Sequence, residues 1–318
     1  MPSLSSLVES LLDEKRRDAL LDFPKGFKEW YKSRGITMNE WSNLDRAVLS
    51  GFHSPNVAFA FASGYQSAIH HLVPGLPRDK IVSFCVSEEG GAHPGSIRAS
   101  IQPDDETRSH QQHVVNGKKR WISLACEADL FLVAASAGQT SDGLNDIKMV
   151  KVPRRDGITT KKMEGVPFMP EISHGEVLMQ DVRVEENLLL PGDGYVDYIR
   201  PFRTVEDVHV LAAILGHVQG IAIQFKWPNA IQEIGLAMIS SLRSLAMADL
   251  RLSSSHVVLG GIFKLVEGYL EDLAPFWSNT SDSTRKAWKR DSVIIQVASN
   301  ARKARLERAW DKMKGQGL

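Results

Sequence analysis

Residues 113–134, HVVNGKKRWISLACEADLFLVA, decide how this chain is read. Two runs rich in β-branched, aromatic and other apolar residues, HVVNGKKRWIS and DLFLVAAS, lie on either side of a short break, the pattern of successive strands. Outward from them the pattern repeats. IVSFCVSE and SIRASI come before, IKMVKVP, GITTKKM and GEVLMQDVRV come after, and Gly, Asn or Asp separates many of the runs. Short runs at this spacing, with no helix-length pattern between them, predict an antiparallel β-barrel or sandwich and argue against a βαβ nucleotide fold. No G-x-G-x-x-G or Walker loop contradicts that reading.

On both sides the apolar period becomes helical. Leu7, Leu11, Leu12, Leu20, Leu21, Phe27 and Trp30 place helix over 5–32, and a second helical block runs from Asn39 to Leu72, where Pro74, Gly75 and Pro77 end it. After Pro191-Gly192-Asp193-Gly194, helical patterns cover 204–226, 230–252, 254–275 and 282–312, enough for a four-helix bundle. The expected fold is therefore α+β in three parts: an N-terminal helical domain over 1–76, a middle β domain over 77–192 and a C-terminal helical bundle over 193–318.

Bulk properties bound the function. The chain has 318 residues, 43% hydrophobic and 24% charged, with a formal net charge of zero, which disfavours nucleic acid or an anionic membrane as partner. Val210 to Phe225 is the most apolar stretch, but Gly216, His217, Gln219 and Gly220 interrupt it and it falls short of the ~20 residues a span needs, so it reads as a buried helix. Glu9, Asp13, Glu14 and Asp18 argue against a signal peptide or presequence, and Cys85 and Cys126 read as buried thiols of a reducing compartment, so a cytoplasmic location is expected. His110-x-x-His113 lies in a polar segment with no third ligand in view, and no metal site is expected.

Three stretches, in order, carry a family resemblance. FCVSEEGGAHPGSI, VNGKKRWISLACEADLFLVAA and VLMQDVRVEENLLLPGDG resemble the C-x-T/S-E-P strand with its Gly/Ser-rich turn, the N-G-x-K-x-W/F-I-T/S-x-x-x-x-A-D continuation and the F-x-D-V-x-V-P-x-x-N-L-L-G stretch of the acyl-CoA dehydrogenases, over about residues 56–220. The resemblance implies FAD as cofactor. It places Trp121 against the isoalloxazine, with Ile122 beside it and Ser123 hydrogen-bonded near flavin N5. It puts Phe84, Val86 and Ser87 along the ring's other edge and the Gly90–Ser96 turn, including Gly91 and the Ser96 hydroxyl, at the pyrophosphate. Each also has a plain structural reading: a tryptophan on a strand is commonly a core aromatic, a Gly-Gly pair is commonly a turn, and His93 is read as a turn residue.

The same resemblance implies α,β-dehydrogenation of an acyl thioester, in which a carboxylate removes the α-proton while a hydride passes to flavin N5. The family's commoner base, in its R-D-x-x-x-x-Q-I-Y-E-G-T segment, aligns with Arg290-Asp291 and leaves Ser299 at the glutamate's place, and serine cannot serve. The other family position lies in the first helix of the bundle, where E-R-L-x-L-A-x-x-x-x-G resembles Glu206-Asp207-Val208-His209-Val210-Leu211-Ala212 through Gly216. Glu206 is the catalytic candidate. The structural alternative is a first-turn acid favoured by the helix dipole, with Thr204 as cap and Asp207 closing a capping box.

Two departures from the family's pattern shape the expectations, the first being Asp207 where the family commonly has arginine. IQFKWPNAIQEIG stands where the family keeps R-x-x-F-G, which holds the adenine half of a neighbouring subunit's cofactor. Arg302, Lys303, Arg305 and Arg308 make the last helix basic, read as a solvated face in preference to a phosphate contact. The expected partners are an acyl thioester, an acyl-CoA in the first instance, an electron-transfer protein as acceptor, and further copies of the chain in a homodimer or homotetramer built on the 254–275 helix. The alternative from a different class is a non-catalytic scaffold or binding protein that keeps the fold without the usual base and clamp; a flavin oxidase or monooxygenase on the same scaffold is the third.

Overall fold

Seven strands arise on the seven runs: β1 (Val82–Cys85), β2 (Ser100–Pro103), β3 (Gln112–Ser123), β4 (Leu130–Gln139), β5 (Asn145–Pro153), β6 (Ile158–Lys162) and β7 (His174–Glu185), although only Ser100 and Ile101 of the SIRASI run are strand, its start belonging to the Pro94–Ser96 turn and the chain after it. They come from a computed structural model, which describes residues 2–13, 26–35, 38, 40–104 and 112–315. The strands form one sheet in the order β1-β4-β2-β3-β7-β6, with β5 on β4. One expectation needs correcting, since the sheet is mixed. β1 runs parallel to β4, Val82 opposite Leu130, and Ser100 of β2 meets Ser136 of β4 in parallel, while the other pairings are antiparallel. The long connection from Cys85 to Leu130, which contains β2 and β3, supplies the crossover a parallel pair requires. Phe131, Val133, Val150, Val152, Val177, Met179, Val182 and Val184 fill the sheet's core.

The described helices are α1 (Leu4–Leu12), α2 (Phe27–Gly35), α3 (Asn43–His53) and α4 (Val57–Leu72) before the sheet. After it come α5 (Arg200–Gln224), α6 (Asn229–Leu245), α7 (Ser253–Asp272), α8 (Asp282–Asp291), α9 (Ile294–Val297) and α10 (Ser299–Met313). The chain divides into two compact units, one of residues 1–75, 167–171 and 203–318, the other of residues 76–166 and 172–202. Part of the expected 5–32 helix, with Leu20 and Leu21, lies outside the described residues.

Within the helical unit, α5 is held by backbone contact. A Cβ on Gly51 would lie 1.9 Å from the Ala213 carbonyl oxygen, one on Gly216 would lie 2.2 Å from that of Val48, and one on Gly64 would lie 2.7 Å from Val210 Cα. Glycine at these three places lets α3 and α4 approach α5 closely, and Leu211, Ala212, Ala213, Leu215 and Val218 are buried there. That explains why so apolar a stretch is an interior helix, and among the described residues no helix is long and apolar enough to cross a membrane. Arg243 of α6 ties to buried Asp45 of α3 through its Nε, 2.8 Å from Oδ1.

Two helix expectations are corrected. The helical block from Asn39 is broken after His53 by Ser54 and Pro55, with Asn56 capping α4 through the Phe59 amide. The expected single helix over 282–312 is interrupted at 292–293 and again at 298, leaving only the single turn α9 between. There the buried Asp291 carboxylate accepts from the Met169 amide at 2.8 Å and from Arg290, so its side chain is committed outside the helix where the run breaks. Cys126 is also corrected: it is exposed, in the turn after β3, whereas Cys85 is buried and its thiol is pushed up to about 12 by desolvation.

Candidate functional site

In the sheet unit, the residues expected at a flavin gather around a bulge in β3. Lys119 faces Val177 and Ile122 faces Gly175, so Arg120 and Trp121 share one partner position, Glu176. Trp121 takes φ +62, a conformation that costs a bulky residue about 1–3 kcal/mol and persists only where its surroundings enforce it. The surroundings do so. The Arg120 amide donates to the Ser87 carbonyl at 2.8 Å, Lys118 and Arg120 grip Glu176 at 2.9 and 3.3 Å, and the Arg120 guanidinium lies 5.6 Å from the Trp121 ring centroid. The Lys118 ammonium, hydrogen-bonded to Glu176, holds that carboxyl below its ordinary range. The outcome is an indole 59% exposed on a strained, fixed backbone, which is not the core aromatic of the plain reading.

The loop after β1 is bound to the same bulge by a pair of charges. Lys119 is fully buried, and its Nζ lies 2.7 Å from Glu88 Oε1 and 3.2 Å from the Val86 carbonyl. Glu88 also accepts from the Arg98 and Ala99 amides at 2.8 and 3.0 Å, so both carboxylate oxygens are bonded. Burial lowers the ammonium's pKa and the Glu88 carboxylate opposes that. Glu88 and Gly91 exchange backbone hydrogen bonds of 3.0 Å, Gly91 adopting φ +92, and His93 caps the Pro94–Ser96 turn by accepting from the Gly95 amide at 3.1 Å. His93 is thus a turn residue, as read.

This arrangement brings Ser87 beside Arg120 and Trp121, and the Ser83 hydroxyl, donating to the Ser123 carbonyl at 2.9 Å, joins β1 to the end of β3. Phe84 packs on Phe202 with centroids 4.1 Å apart. Val86 and Ile122 are 5% and 2% exposed, so their backbones, not their side chains, are what a ligand could meet. Gly91 is exposed and Ser96 is partly so. An exposed indole beside a glycine-containing turn suits the ring of a flavin nucleotide, but the turn's Gly91, Gly95 and Ser96 amides are bonded within the loop, which leaves a phosphate only the Gly90, Ala92 and His93 amides and the Ser96 hydroxyl.

Glu206 belongs to the helical unit. α5 begins at Arg200, preceded by a π-helical turn over Gly194–Ile199 whose entry Asp193 caps through the Tyr195 and Val196 amides. Glu206 therefore sits in the second turn, and Thr204 is no cap; its hydroxyl lies 3.4 Å from His256 Nε2. The dipole explanation of this glutamate is removed. Its carboxyl lines a cavity of about 170 Å³ whose other walls are mainly apolar, including Phe61, Leu211, Ile214, Phe263 and Ile295. Burial, and then the adjacent Asp207, push its pKa up to about 8, with Arg203 opposing. One turn on, His209 is buried and pushed down to about 3 by desolvation; its Nδ1 carries the proton, because its partner at 2.8 Å is the Val205 carbonyl.

Three features were missed from sequence. The Glu88–Lys119 pair could have been suspected from two charges inside otherwise apolar strand segments. Arg302 and Arg305, expected on a solvated face, are only 14% and 15% exposed and both bond the Asp207 carboxylate; their spacing of three on a helix puts them on one face. The 292–298 break, which lends Ile294, Ile295, Val297 and Ala298 to the cavity wall, had no periodic signal. Ser299 is exposed at the start of α10. Where the family keeps R-x-x-F-G, Trp227 is buried against Phe276 and Trp277 at 5.9 and 5.2 Å. His113 pairs with Glu186 at 3.3 Å, and His110 lies outside the described residues.

Comparison with known proteins agrees with the strand motifs. Residues 83–182 match the family described as acyl-CoA dehydrogenase, middle domain. The short/branched chain specific acyl-CoA dehydrogenase of rat mitochondria is 32% identical over 151 residues, 46% of this chain and 34% of that protein. The matched region thus spans about a third of the length of such curated relatives. Among solved structures, butyryl-CoA dehydrogenase from Megasphaera elsdenii has a TM-score of 0.64 at 13% identity, covering 98% of each chain. FMN-bound TdsC from Paenibacillus sp. A11-2 has a TM-score of 0.65 at 14% identity, covering 97% of this chain and 96% of that one. The resemblance read from the three strand-and-loop stretches is borne out, and so is the α+β fold.

Proposed function

We propose, on the premise that this chain carries the middle domain and the fold of the acyl-CoA dehydrogenase family, that it is an FAD-dependent oxidoreductase which dehydrogenates an acyl thioester between Cα and Cβ. The observation that carries the proposal is Glu206: a partly buried carboxyl on an apolar cavity, with a pKa raised to about 8 and no ion pair among the described residues. An α-proton of a thioester is weakly acidic, and a carboxylate of raised proton affinity is the better base for it. Asp207, the neighbouring acid, is neutralised by two arginines and is unsuited to the task.

Bound flavin supplies the acceptor for the β-hydride. Trp121 would present its indole to the ring and Ser87 and Ser123 would line its edge with polar groups; in the Gly90–Ser96 turn the Gly91, Gly95 and Ser96 amides are bonded within the loop, so the Gly90, Ala92 and His93 amides and the Ser96 hydroxyl would be the groups offered to the pyrophosphate. Glu206 takes the α-proton, and the apolar wall of its cavity holds the acyl group and excludes water. The substrate is an acyl-CoA or a related thioester, the electrons leave to an electron-transfer protein, and the chain works as a homodimer or homotetramer in the cytoplasm.

Because the base must be ionised, kcat/KM on a responsive acyl thioester rises with pH and levels off above about 8, the direction set by the raised pKa of Glu206. Glu206→Gln lowers kcat by about 100-fold or more while flavin content is unchanged. A glutamine variant that keeps its rate removes Glu206 from the reaction. A second reading, a non-catalytic scaffold, is favoured by Trp227, which spends on internal packing the segment that serves as a cofactor clamp elsewhere in the family.

A further inference from the structure

We infer that Arg302 is a clasp: anchored on Asp207, it pins the 294–298 segment against the cavity that Glu206 lines and so limits the access of water to that carboxyl. The inference rests on the reading of Glu206 above only for its consequence in catalysis.

One guanidinium joins three elements that wall the cavity. Its Nη1 lies 3.2 Å from Asp207 Oδ1 on α5, its Nη2 donates to the Ile295 carbonyl at the break, and its centre lies 4.3 Å from the Phe263 ring centroid on α7. Arg305 holds the second oxygen of the same carboxylate. A planar fork can bridge a carboxylate and a carbonyl while stacking on a ring, and the point charge of a lysine cannot. The segment it holds is α9, a single turn, too short to stand by its own hydrogen bonds. Its Ile294, Ile295 and Val297 supply much of the apolar surface that faces Glu206.

The charges near Glu206 are then few. Arg203 and Asp207 come from its own helix, Arg302 and Arg305 from α10, and His209 is held neutral; the cavity residues from α4, α7 and the break carry no charge. An Asp207→Asn variant removes a negative neighbour, releases two positive ones and frees the clasp. All three changes favour the ionised form of Glu206.

The test needs neither substrate nor flavin. Carbon-13 NMR of the free protein follows the Glu206 carboxyl, assigned with Glu206→Gln, while hydrogen exchange reports the amides of 292–298. In Asp207→Asn the Glu206 midpoint falls by about one unit or more toward an ordinary carboxylate. In Arg302→Met, exchange over 292–298 accelerates by at least about 10-fold while the core of α5 is unchanged. Arg302→Lys, which keeps the charge and not the fork, gives intermediate exchange and covers the case in which Arg302→Met fails to fold. Unaltered exchange in both Arg302 variants, or an unmoved midpoint in Asp207→Asn, overturns the clasp. A moved midpoint in a protein that binds no flavin sustains it while ending the dehydrogenase reading.

Discussion

Glu206 is a carboxyl whose folded environment opposes its charge, and that has a cost in stability with a definite pH window. Its pKa is raised to about 8 from an ordinary 4.5, so folding binds the proton. Stability from this group is fully present below about 4.5 and is lost as pH rises to about 8. Glu206→Gln, which cannot ionise, is therefore expected to raise Tm at pH 8 by several degrees and to leave it nearly unchanged at pH 4, as thermal melts at the two pH values would show. A gain that is equal at both pH values would mean that the carboxyl is not desolvated. The Glu88–Lys119 pair acts the other way. Lys119→Met strands a buried carboxylate, and a loss of about 3–5 kcal/mol in denaturant unfolding is expected, along with release of the loop that carries Ser87 and Gly91. The residue types of both sites were visible in the sequence. What they touch was not, because Lys119 meets Glu88, and Arg302 meets Asp207, only through contacts between segments far apart in the chain.

At the scale of elements, α5 is fixed by glycines. Gly51→Ala would place a methyl 1.9 Å from the Ala213 carbonyl oxygen, where only a helix shift can relieve it. A loss of about 2 kcal/mol or more is expected in chemical denaturation, against the few tenths a surface helix would show, and a neutral result would contradict the close packing of α3 on α5. The strands were legible because alternation and turn residues mark them locally: six of the seven runs hold their strands and SIRASI only reaches the start of β2. The parallel alignment of β1 with β4 was not legible, since pairing direction depends on a crossover, not on either strand's own pattern. The break at 292–298 was missed for a related reason. Asp291 is held by the Met169 amide, a partner 122 residues away, which no helical period can announce.

For the whole molecule, the order of helices, sheet and helices was readable from periodicity, and the three strand-and-loop stretches pointed to the family. The candidate site was only half readable. Motif positions in a strand, such as Trp121 and Ser123, lie within the stretch that matches the family, but a departure such as Asp207 for arginine gains meaning only when Arg302 and Arg305 are seen to answer it. Without R-x-x-F-G, the proposed cofactor site rests on the β3 bulge and the loop beside it. The most direct measurement is therefore the visible absorption spectrum of the purified chain, incubated with FAD and passed through a gel-filtration column. Retained flavin bands that weaken in Trp121→Ala are expected; a wild-type protein that emerges colourless would contradict flavin binding at the β3 bulge.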